Sequence, residues 1–173
     1  MSVIVAPPNQ LVAGQFELRA MVEGDWAVEV ALSRDPEVLR WTHYRAHMTE
    51  QKARERLSQT TAAGSKTSTV RFLIADGDDV LGVAGVFVDP EASPEIYYAL
   101  VQSGRGRGAA ALAAQALSDW VLENGSPTVT LEIFCGNTAS ERVAARSGFI
   151  LHRTSTTIHQ GQTIATAIWG RTR

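Results

Sequence analysis

The sequence has little cysteine and no long apolar run: Cys135 is the only cysteine in 173 residues. One cysteine cannot form an intramolecular disulfide, which argues against a disulfide-stapled extracellular domain and favours a reducing compartment. No apolar stretch approaches the roughly 20 residues of a membrane-spanning helix, and residues 1–8 lack the basic lead and cleavage site of a signal peptide. We therefore expect a cytoplasmic protein that does not associate with a membrane.

An excess of basic residues is also lacking. Sixteen Lys and Arg stand against 18 Asp and Glu, which gives a formal net charge of −2 at pH 7. Because nucleic-acid-binding proteins normally present a strongly basic face, we expect no nucleic-acid partner. Neither a low-complexity linker nor an internal repeat interrupts the chain. Its length supports one hydrophobic core rather than two, so we predict a single domain over residues 1–173.

The spacing of the apolar residues changes along the chain between the period of a helix and the alternation of a strand. The predicted elements are a strand at 16–21, helices at 26–35 and 50–59, strands at 70–75, 80–88 and 95–101, a helix at 108–123, a strand at 129–134, a helix at 138–146 and a hairpin of strands at 149–158 and 163–169. Residues 36–41 are predicted to be irregular. This order predicts a mixed α/β fold of the α+β type, with a largely antiparallel sheet and one strand–helix–strand crossover.

The densest chemical signal is the turn Gly104-Arg-Gly-Arg-Gly-Ala-Ala110, which lies between a predicted strand and an amphipathic helix. Glycines allow several backbone amides to converge on one anion. The following helix adds its unpaired first-turn amides and the positive end of its dipole. Arg105 and Arg107 can add charge-assisted contacts. Together these features predict a pyrophosphate site.

More than one phosphate ligand is compatible with such a turn. A P-loop requires Lys followed by Ser or Thr after its last glycine, and Ala109-Ala110 stands there instead. A dinucleotide fingerprint fits loosely through Gly104, Gly106 and Ala109. That fold normally starts with the motif and repeats parallel βαβ units, whereas here the motif follows an antiparallel meander. A dinucleotide-binding oxidoreductase therefore remains the alternative from a different enzyme class.

The turn resembles the signature of the GNAT N-acetyltransferase superfamily, Arg/Gln-x-x-Gly-x-Gly/Ala at the start of a central helix, through Arg105-Gly-Arg-Gly108-Ala-Ala110. Asn137-Thr-Ala-Ser140 and Arg146-Ser-Gly148-Phe149 resemble its second block, a short helix ending in Gly-Phe. Leu18-Arg19 and Asp35-Pro36-Glu37-Val38 are similar to the ribosomal-protein-alanine N-acetyltransferase branch. The resemblance covers most of the chain. It implies a GNAT-like sheet with helices on both faces and a V-shaped splay between strands 95–101 and 129–134.

The resemblance implies direct transfer of an acetyl group from acetyl-CoA, the co-substrate, to a primary amine. The diphosphate would lie on the turn and the pantetheine arm in the splay, with two backbone amides nearest the acyl carbonyl. Backbone donors aimed at a developing oxyanion contribute several kcal/mol. The implied cofactor-binding residues are Leu100, Val101, Arg105, Gly106, Arg107, Gly108, Ala109, Ala110 and Asn137.

Transfer requires a neutral amine, so a base must accept a proton. Glu95, at the start of the strand that leads to the splay, is one candidate. His159 on the closing hairpin is the other, near where the resembling enzymes carry an acidic base, and a His there could accept a proton at neutral pH. The resemblance assigns Ser140 to the leaving thiolate, although Ser140 and Asn137 would also serve as ordinary helix caps.

The acceptor side is less specific. The resemblance implies that Trp41, His43 and Tyr44 line the acceptor cleft, and Tyr98 could face the acceptor because side chains alternate along a strand. His43 and His47 have a metal-compatible spacing without a third ligand, so no metal is predicted. The expected partner is a small amine or a protein N-terminus, and a homodimer is an open alternative. The imperfect match at the base also leaves open a catalytically silent acyl-CoA-binding module.

Overall fold

A computed structural model describes residues 7–58 and 68–173. The elements in chain order are β1 (Gln10–Ala13), β2 (Phe16–Ala20), α1 (Trp26–Leu32), α2 (Pro36–Trp41), α3 (Glu50–Ser58), β3 (Ser68–Asp76), β4 (Asp79–Val88), β5 (Glu95–Leu100), α4 (Ala109–Glu123), β6 (Thr128–Phe134), α5 (Thr138–Arg146), β7 (Ile150–His159) and β8 (Gln162–Thr172). None of the described helices is both long enough and apolar enough to cross a membrane.

The predicted order of elements and the mixed α/β class are confirmed, with two local differences. Residues 36–41 are helical rather than irregular, because the Asp35 carboxylate accepts hydrogen bonds from the Glu37 and Val38 amides and Pro36 occupies the first helical position. An N-cap followed by proline is a helix-start signal that the apolar spacing alone does not reveal. The other difference is β1, a four-residue strand that pairs with β2 and was not predicted.

The eight described strands form one sheet in the order β1-β2-β3-β4-β5-β6-β8-β7. Every neighbouring pair is antiparallel except β5 and β6, which run parallel and pair only at Glu95 and Thr130. The Thr130 amide donates to the Pro94 carbonyl at 2.9 Å, and beyond this point the two strands separate. The predicted splay between these two strands is therefore present, and it opens the middle of the sheet.

Helices cover both faces of the sheet. The helix α4 buries one apolar side against the face formed by alternate residues such as Phe72 and Ile96, and Leu117 at its centre is fully buried. The helices α1 and α2 cover the opposite face, where Leu32 packs with Leu73. Each such large apolar side chain contributes about 1.5–3 kcal/mol to stability through its burial. The splay therefore lies between two packed layers and is accessible from the side of α2 and α5.

Candidate active site

Two connected cavities open where β5 and β6 diverge. The first, named here the turn cavity, has a volume of about 430 Å³ and lies against residues 105–110 and α5. The second, named here the carboxylate cavity, has a volume of about 290 Å³ and contains Glu95 and Glu132. The two cavities meet at the residues that line both of them: Trp41, Thr42, Tyr98, Ala99, Asn137 and Ser140.

The floor of the turn cavity is the glycine-rich turn and the start of α4. Gly106 and Gly108 have φ angles of +76° and +81°, and Gly108 is the N-cap residue of this 15-residue helix. A Cβ built on either glycine would meet no atom within 4 Å, so the backbone faces open space there. The first amides of a helix lack intrahelical acceptors and carry its positive dipole end. This arrangement can bind an anionic group such as a diphosphate.

The two arginines of the turn have different surroundings. Arg105 lines the turn cavity, and its guanidinium donates to Asp35 at 2.6 Å and to the Leu100 carbonyl at 3.1 Å. Arg107 is instead hydrogen-bonded to Asp76 and lies 3.8 Å from Asp79, in the turn between β3 and β4. The guanidinium of Arg107 is therefore paired with the acidic hairpin turn, and Arg107 does not line the turn cavity.

Two further cations line the turn cavity that the sequence analysis did not identify. Arg142 and Arg146 on α5 reach it together with Ala139 and Val143. These four residues follow the i, i+3, i+4, i+7 spacing of one helix face, which is the signal that could have revealed them. Both arginines are exposed and available to an anion on the α5 side of the cavity.

The resemblance places the backbone amides of Leu100 and Val101 nearest the acyl carbonyl, and in the structure these two amides have different surroundings. The Val101 amide donates to the Leu81 carbonyl of β4 at 3.0 Å, so it is not free for an acyl carbonyl. Hydrogen bonding alternates along a strand, so the Tyr98 and Leu100 amides point the other way, toward the diverging β6. The Val101 amide is therefore engaged within the sheet, whereas Leu100 borders the turn cavity.

The junction of the two cavities carries two hydroxyl groups. Burial raises the pKa of Tyr98 to about 12, and the neighbouring Ser140 opposes the rise. Within the described part of the chain, no group makes a well-formed hydrogen bond to the Tyr98 hydroxyl. Ser140 is held in place because its backbone amide donates to the Asn137 side chain at 3.2 Å, which leaves the Ser140 hydroxyl outside the cap. Both hydroxyls can donate a proton or a hydrogen bond at this point.

Glu95 is the titratable group whose environment is changed most usefully for catalysis. Burial, followed by the negative charge of Glu132, raises the pKa of Glu95 to about 7. Both carboxylates line the carboxylate cavity, and Glu95 stands where β5 and β6 still pair. A carboxylate with a pKa near the working pH is suited to accept a proton, since it is ionised in part and still basic.

The other predicted base, His159, lies next to the cavities rather than in their linings. Its ring packs edge-on against Phe134 at 4.9 Å and against His43 at 5.8 Å, measured between ring centroids. His43 lines the carboxylate cavity, as do Trp41 and Tyr44. In the described ranges, no three His, Cys, Asp or Glu side chains come together as a candidate metal site.

Two arginines that line the carboxylate cavity, Arg56 and Arg71, were also not predicted from the sequence. Arg56 on α3 lies with its Nε atom 3.2 Å from the buried Glu29 carboxylate, which accepts a 2.6 Å hydrogen bond from the Tyr44 hydroxyl. Arg71 on β3 donates to the Tyr97 hydroxyl at 3.2 Å. A charged residue within the apolar run of β3 was the available signal for Arg71.

Comparison with protein families finds one match over residues 15–150, the family described as Acetyltransferase (GNAT) domain. A comparison with curated protein sequences finds no significant relative.

Solved structures share the fold of this chain. A RimL ribosomal L7/L12 alpha-N-protein acetyltransferase in complex with coenzyme A is 20% identical, with a TM-score of 0.78 over 91% of this chain and 93% of that chain. The microcin C7 self-immunity acetyltransferase MccE, with acetyl-CoA and AMP, is 16% identical, with a TM-score of 0.81 over 96% and 98%. An acetyltransferase from Salmonella typhimurium that modifies the N-terminal serine of L7/L12 is 19% identical, with a TM-score of 0.77 over 91% and 95%. At these identities the likeness establishes the fold.

Proposed function

Because the chain belongs to the GNAT acetyltransferase family, we propose that its two cavities bind the two substrates of one direct acetyl transfer. Acetyl-CoA occupies the turn cavity and the splay, and an amine acceptor occupies the carboxylate cavity. The observation that carries this proposal is that the two cavities share the lining residues Tyr98 and Ser140 and their neighbours, beside the splay. A thioester and an amine bound on the two sides would meet there.

The residues of the turn cavity fit the anionic part of acetyl-CoA. Gly106 and Gly108 leave room for a close backbone approach, and the first turn of α4 supplies amides. Arg105, Arg142 and Arg146 bring positive charge to the same cavity. Acetyl-CoA supplies the activated acyl group. The Leu100 amide, for which the described residues provide no acceptor, points to the β6 side of β5 and can stabilise the developing oxyanion there. A single parallel strand pair does not support the repeated βαβ units of a dinucleotide-binding oxidoreductase.

The proton chemistry is assigned to Glu95 in the carboxylate cavity and to Ser140 at the junction of the two cavities. Glu95 accepts a proton from the incoming ammonium, directly or through water, so that the neutral amine can attack. The attack forms the C–N bond of the amide and breaks the C–S bond of the thioester. The further proton lost by the attacking nitrogen passes to the leaving sulfur through water, and Ser140 donates a hydrogen bond to that sulfur while it carries negative charge. The acceptor is a primary amine, either a small molecule or a protein N-terminus, as in the L7/L12 acetyltransferases that share the fold.

The proposal is tested first by ligand-dependent stability. Acetyl-CoA should raise the melting temperature of the protein in a concentration-dependent way, because binding to the native state stabilises it by mass action. NAD and ATP at equal concentrations serve as matched nucleotide ligands and should produce a much smaller shift. Mass spectrometry of an amine panel should then detect acetylated product. A shift with NAD and none with acetyl-CoA would reject the assignment, and a shift with acetyl-CoA without any product would indicate a silent acyl-CoA-binding module.

Ser140→Ala should lower turnover by about tenfold and retain the affinity for acetyl-CoA. The hydroxyl stabilises the sulfur only when negative charge develops on it, so its removal raises the barrier without weakening ground-state binding. The α5 cap uses the Ser140 amide rather than its hydroxyl, so the variant keeps the cap. Thr138→Ala, an exposed position in the same helical turn, is the control for steady-state kinetics. Unchanged turnover per folded molecule in Ser140→Ala would exclude the role at the thiolate.

A further inference from the structure

Two arginines line the carboxylate cavity, Arg56 and Arg71, and within the described part of the chain only Arg56 has a carboxylate partner. Arg56 has a carboxylate partner, because its Nε atom lies 3.2 Å from Glu29, which is only 1% exposed. Arg71 has the Tyr97 hydroxyl as its partner at 3.2 Å, and none of the described residues accepts a hydrogen bond from its buried Nε atom. Burial raises the pKa of Tyr97 to about 12, so this phenol is neutral and supplies no counter-charge.

Within residues 7–58 and 68–173, Arg71 differs from the other arginines because it combines partial burial with the lack of a carboxylate partner. Those that lack a carboxylate partner are exposed to solvent, whereas Arg71 is half-buried. In these ranges the exposed arginines without a carboxylate partner are Arg34, Arg45, Arg142, Arg146, Arg153 and Arg173. A guanidinium removed from water without a counter-ion is costly, and it is retained in proteins mainly where an anion binds.

The neighbours of Arg71 hold it in a defined position. Arg71 on β3 stands opposite Gly85 on β4, and Gly85 stands opposite Tyr97 on β5. A Cβ at Gly85 would lie 2.4 Å from the Tyr97 hydroxyl, so the absent side chain makes room for the phenol to reach Arg71. The guanidinium is therefore oriented within the cavity lining, with donors left for a planar anion.

We propose that Arg71, with Arg56 beside it, binds an anionic group of the acceptor, so that the preferred substrate is an amine that also carries a carboxylate or phosphate. This inference rests on the proposed acetyl transfer. Glu95 and Glu132 lie in the same cavity and attract the ammonium group before it is deprotonated. The cavity is thus bipolar, with carboxylates for the amine and guanidinium groups for the anion.

The register of the sheet sets the length of such an acceptor. Arg71 lies two strands away from Tyr97, and Glu95 is two residues along β5 from Tyr97. Strands spaced by about 4.8 Å and a two-residue step of about 6.7 Å separate the Cα atoms of Arg71 and Glu95 by about 12 Å. Both residues lie on the same face of the sheet, because residues opposite each other on neighbouring strands and residues two apart along a strand share a face. An extended dipeptide, which spans about 7 Å, is therefore an acceptor of suitable length to contact both side chains.

The test compares alanyl-alanine as the free acid with its C-terminal amide. In the parent protein, kcat/KM for the acid should exceed that for the amide by roughly 10-fold to 100-fold, the usual effect of a hydrogen-bonded charge. In Arg71→Gln, kcat/KM for the acid should fall to the level that this variant shows for the amide, while the KM for acetyl-CoA stays at the parent value. The exposed Arg153→Gln is the matched control and should keep the parent's preference.

A second pair of acceptors separates the two sources of the anion. In longer peptide amides, aspartate and asparagine are compared at the second position. A preference for aspartate there indicates an acidic protein N-terminus, and a preference confined to the free dipeptide acid indicates a small molecule.

Equal kcat/KM for the acid and amide members of every pair in the parent would overturn the inference, even if Arg71→Gln failed to fold. A full preference retained in Arg71→Gln would also overturn it. Failure of the proposed function is a different result, in which the parent acetylates no amine at all.

Discussion

Glu95→Gln should reduce the rate of acetyl transfer at saturating acetyl-CoA by roughly 10²–10⁴-fold, the usual effect of losing a general base. The pKa of Glu95 is raised to about 7 by burial and by the charge of Glu132. A base acts in its deprotonated form, so the rate of the parent protein should rise with pH and level off above about 7. The Gln variant cannot accept the proton and should lose this limb. Steady-state pH–rate profiles on one good acceptor measure both effects.

Two matched variants make this result specific. Glu132→Gln removes the neighbouring charge and should move the rising limb to lower pH, because the pKa of Glu95 falls. His159→Ala should be mild, since that ring packs on Phe134 and His43 beside the cavity. A large loss in His159→Ala with a mild effect in Glu95→Gln would instead make His159 the base. If both variants kept the parent's profile in shape and height, proton transfer through ordered water would remain.

The same carboxyl should also affect stability. The pKa of Glu95 rises from 4.5 to about 7 on folding, so between these values the folded protein holds a proton that the unfolded chain has released. The free energy of unfolding should therefore decrease as pH rises from 4.5 to 7, by about 3 kcal/mol from this group. Glu95→Gln should lack this decrease. Urea unfolding at pH 5 and pH 8 measures the difference, and equal pH dependence in both proteins would contradict a raised pKa.

Gly108→Val should weaken acetyl-CoA binding by about a hundredfold, because a β-branched residue cannot readily hold the left-handed N-cap conformation that exposes the first amides of α4. Gly108 has a φ angle of +81°, and its Cβ would project into open space without touching another residue. The substitution therefore acts on the backbone of the turn and on the space left for the diphosphate. Isothermal titration with acetyl-CoA measures the loss.

A glycine that follows the other end of α4 provides the control. Gly125, just after the end of α4, has a φ angle of +97° and an equally open Cβ position, but it does not line the turn cavity. Gly125→Val should cost a similar amount of stability, about 1–3 kcal/mol for the strained backbone, and leave acetyl-CoA affinity unchanged. If the two variants bound acetyl-CoA equally well, the turn would not be the diphosphate site.

Arg105 is a less specific probe of the turn. Its guanidinium joins the Asp35 side chain, which also caps α2, so reversing its charge would place two carboxylates together and loosen that helix. Burial by itself would raise the pKa of Asp35. The hydrogen bonds from Arg105 and from two backbone amides outweigh burial and hold this pKa below its ordinary value. A loss of acetyl-CoA affinity in Arg105→Glu would therefore mix a direct effect with a displaced α2. Gly108 avoids this ambiguity.

Local backbone requirements were readable from the sequence by itself. The bounds of α5 follow from Asn137 as N-cap and Gly148 as the terminating residue, and the structure has the helix between them. The glycine-rich turn before α4 was predicted for the same reason, since glycine spacing and an amphipathic helix constrain only neighbouring residues. The fold class followed from the order of the elements. The splay and the acetyltransferase family were implied by the resemblance of residues 105–110 and of the α5 segment to GNAT enzymes, and all three are confirmed.

Only the tertiary structure decided which partner each polar group meets. Arg107 binds Asp76 in the hairpin turn between β3 and β4, and the Val101 amide donates to the Leu81 carbonyl of β4, so both groups already have partners within the fold. Arg71 reaches Tyr97 only because strands 26 residues apart in sequence lie in register across Gly85. Strand order and register bring such groups together, and the spacing of apolar residues within one segment does not predict either of them. The sequence therefore determined the turn in which backbone amides converge before α4, and the packed sheet determined which charged side chains line the two cavities.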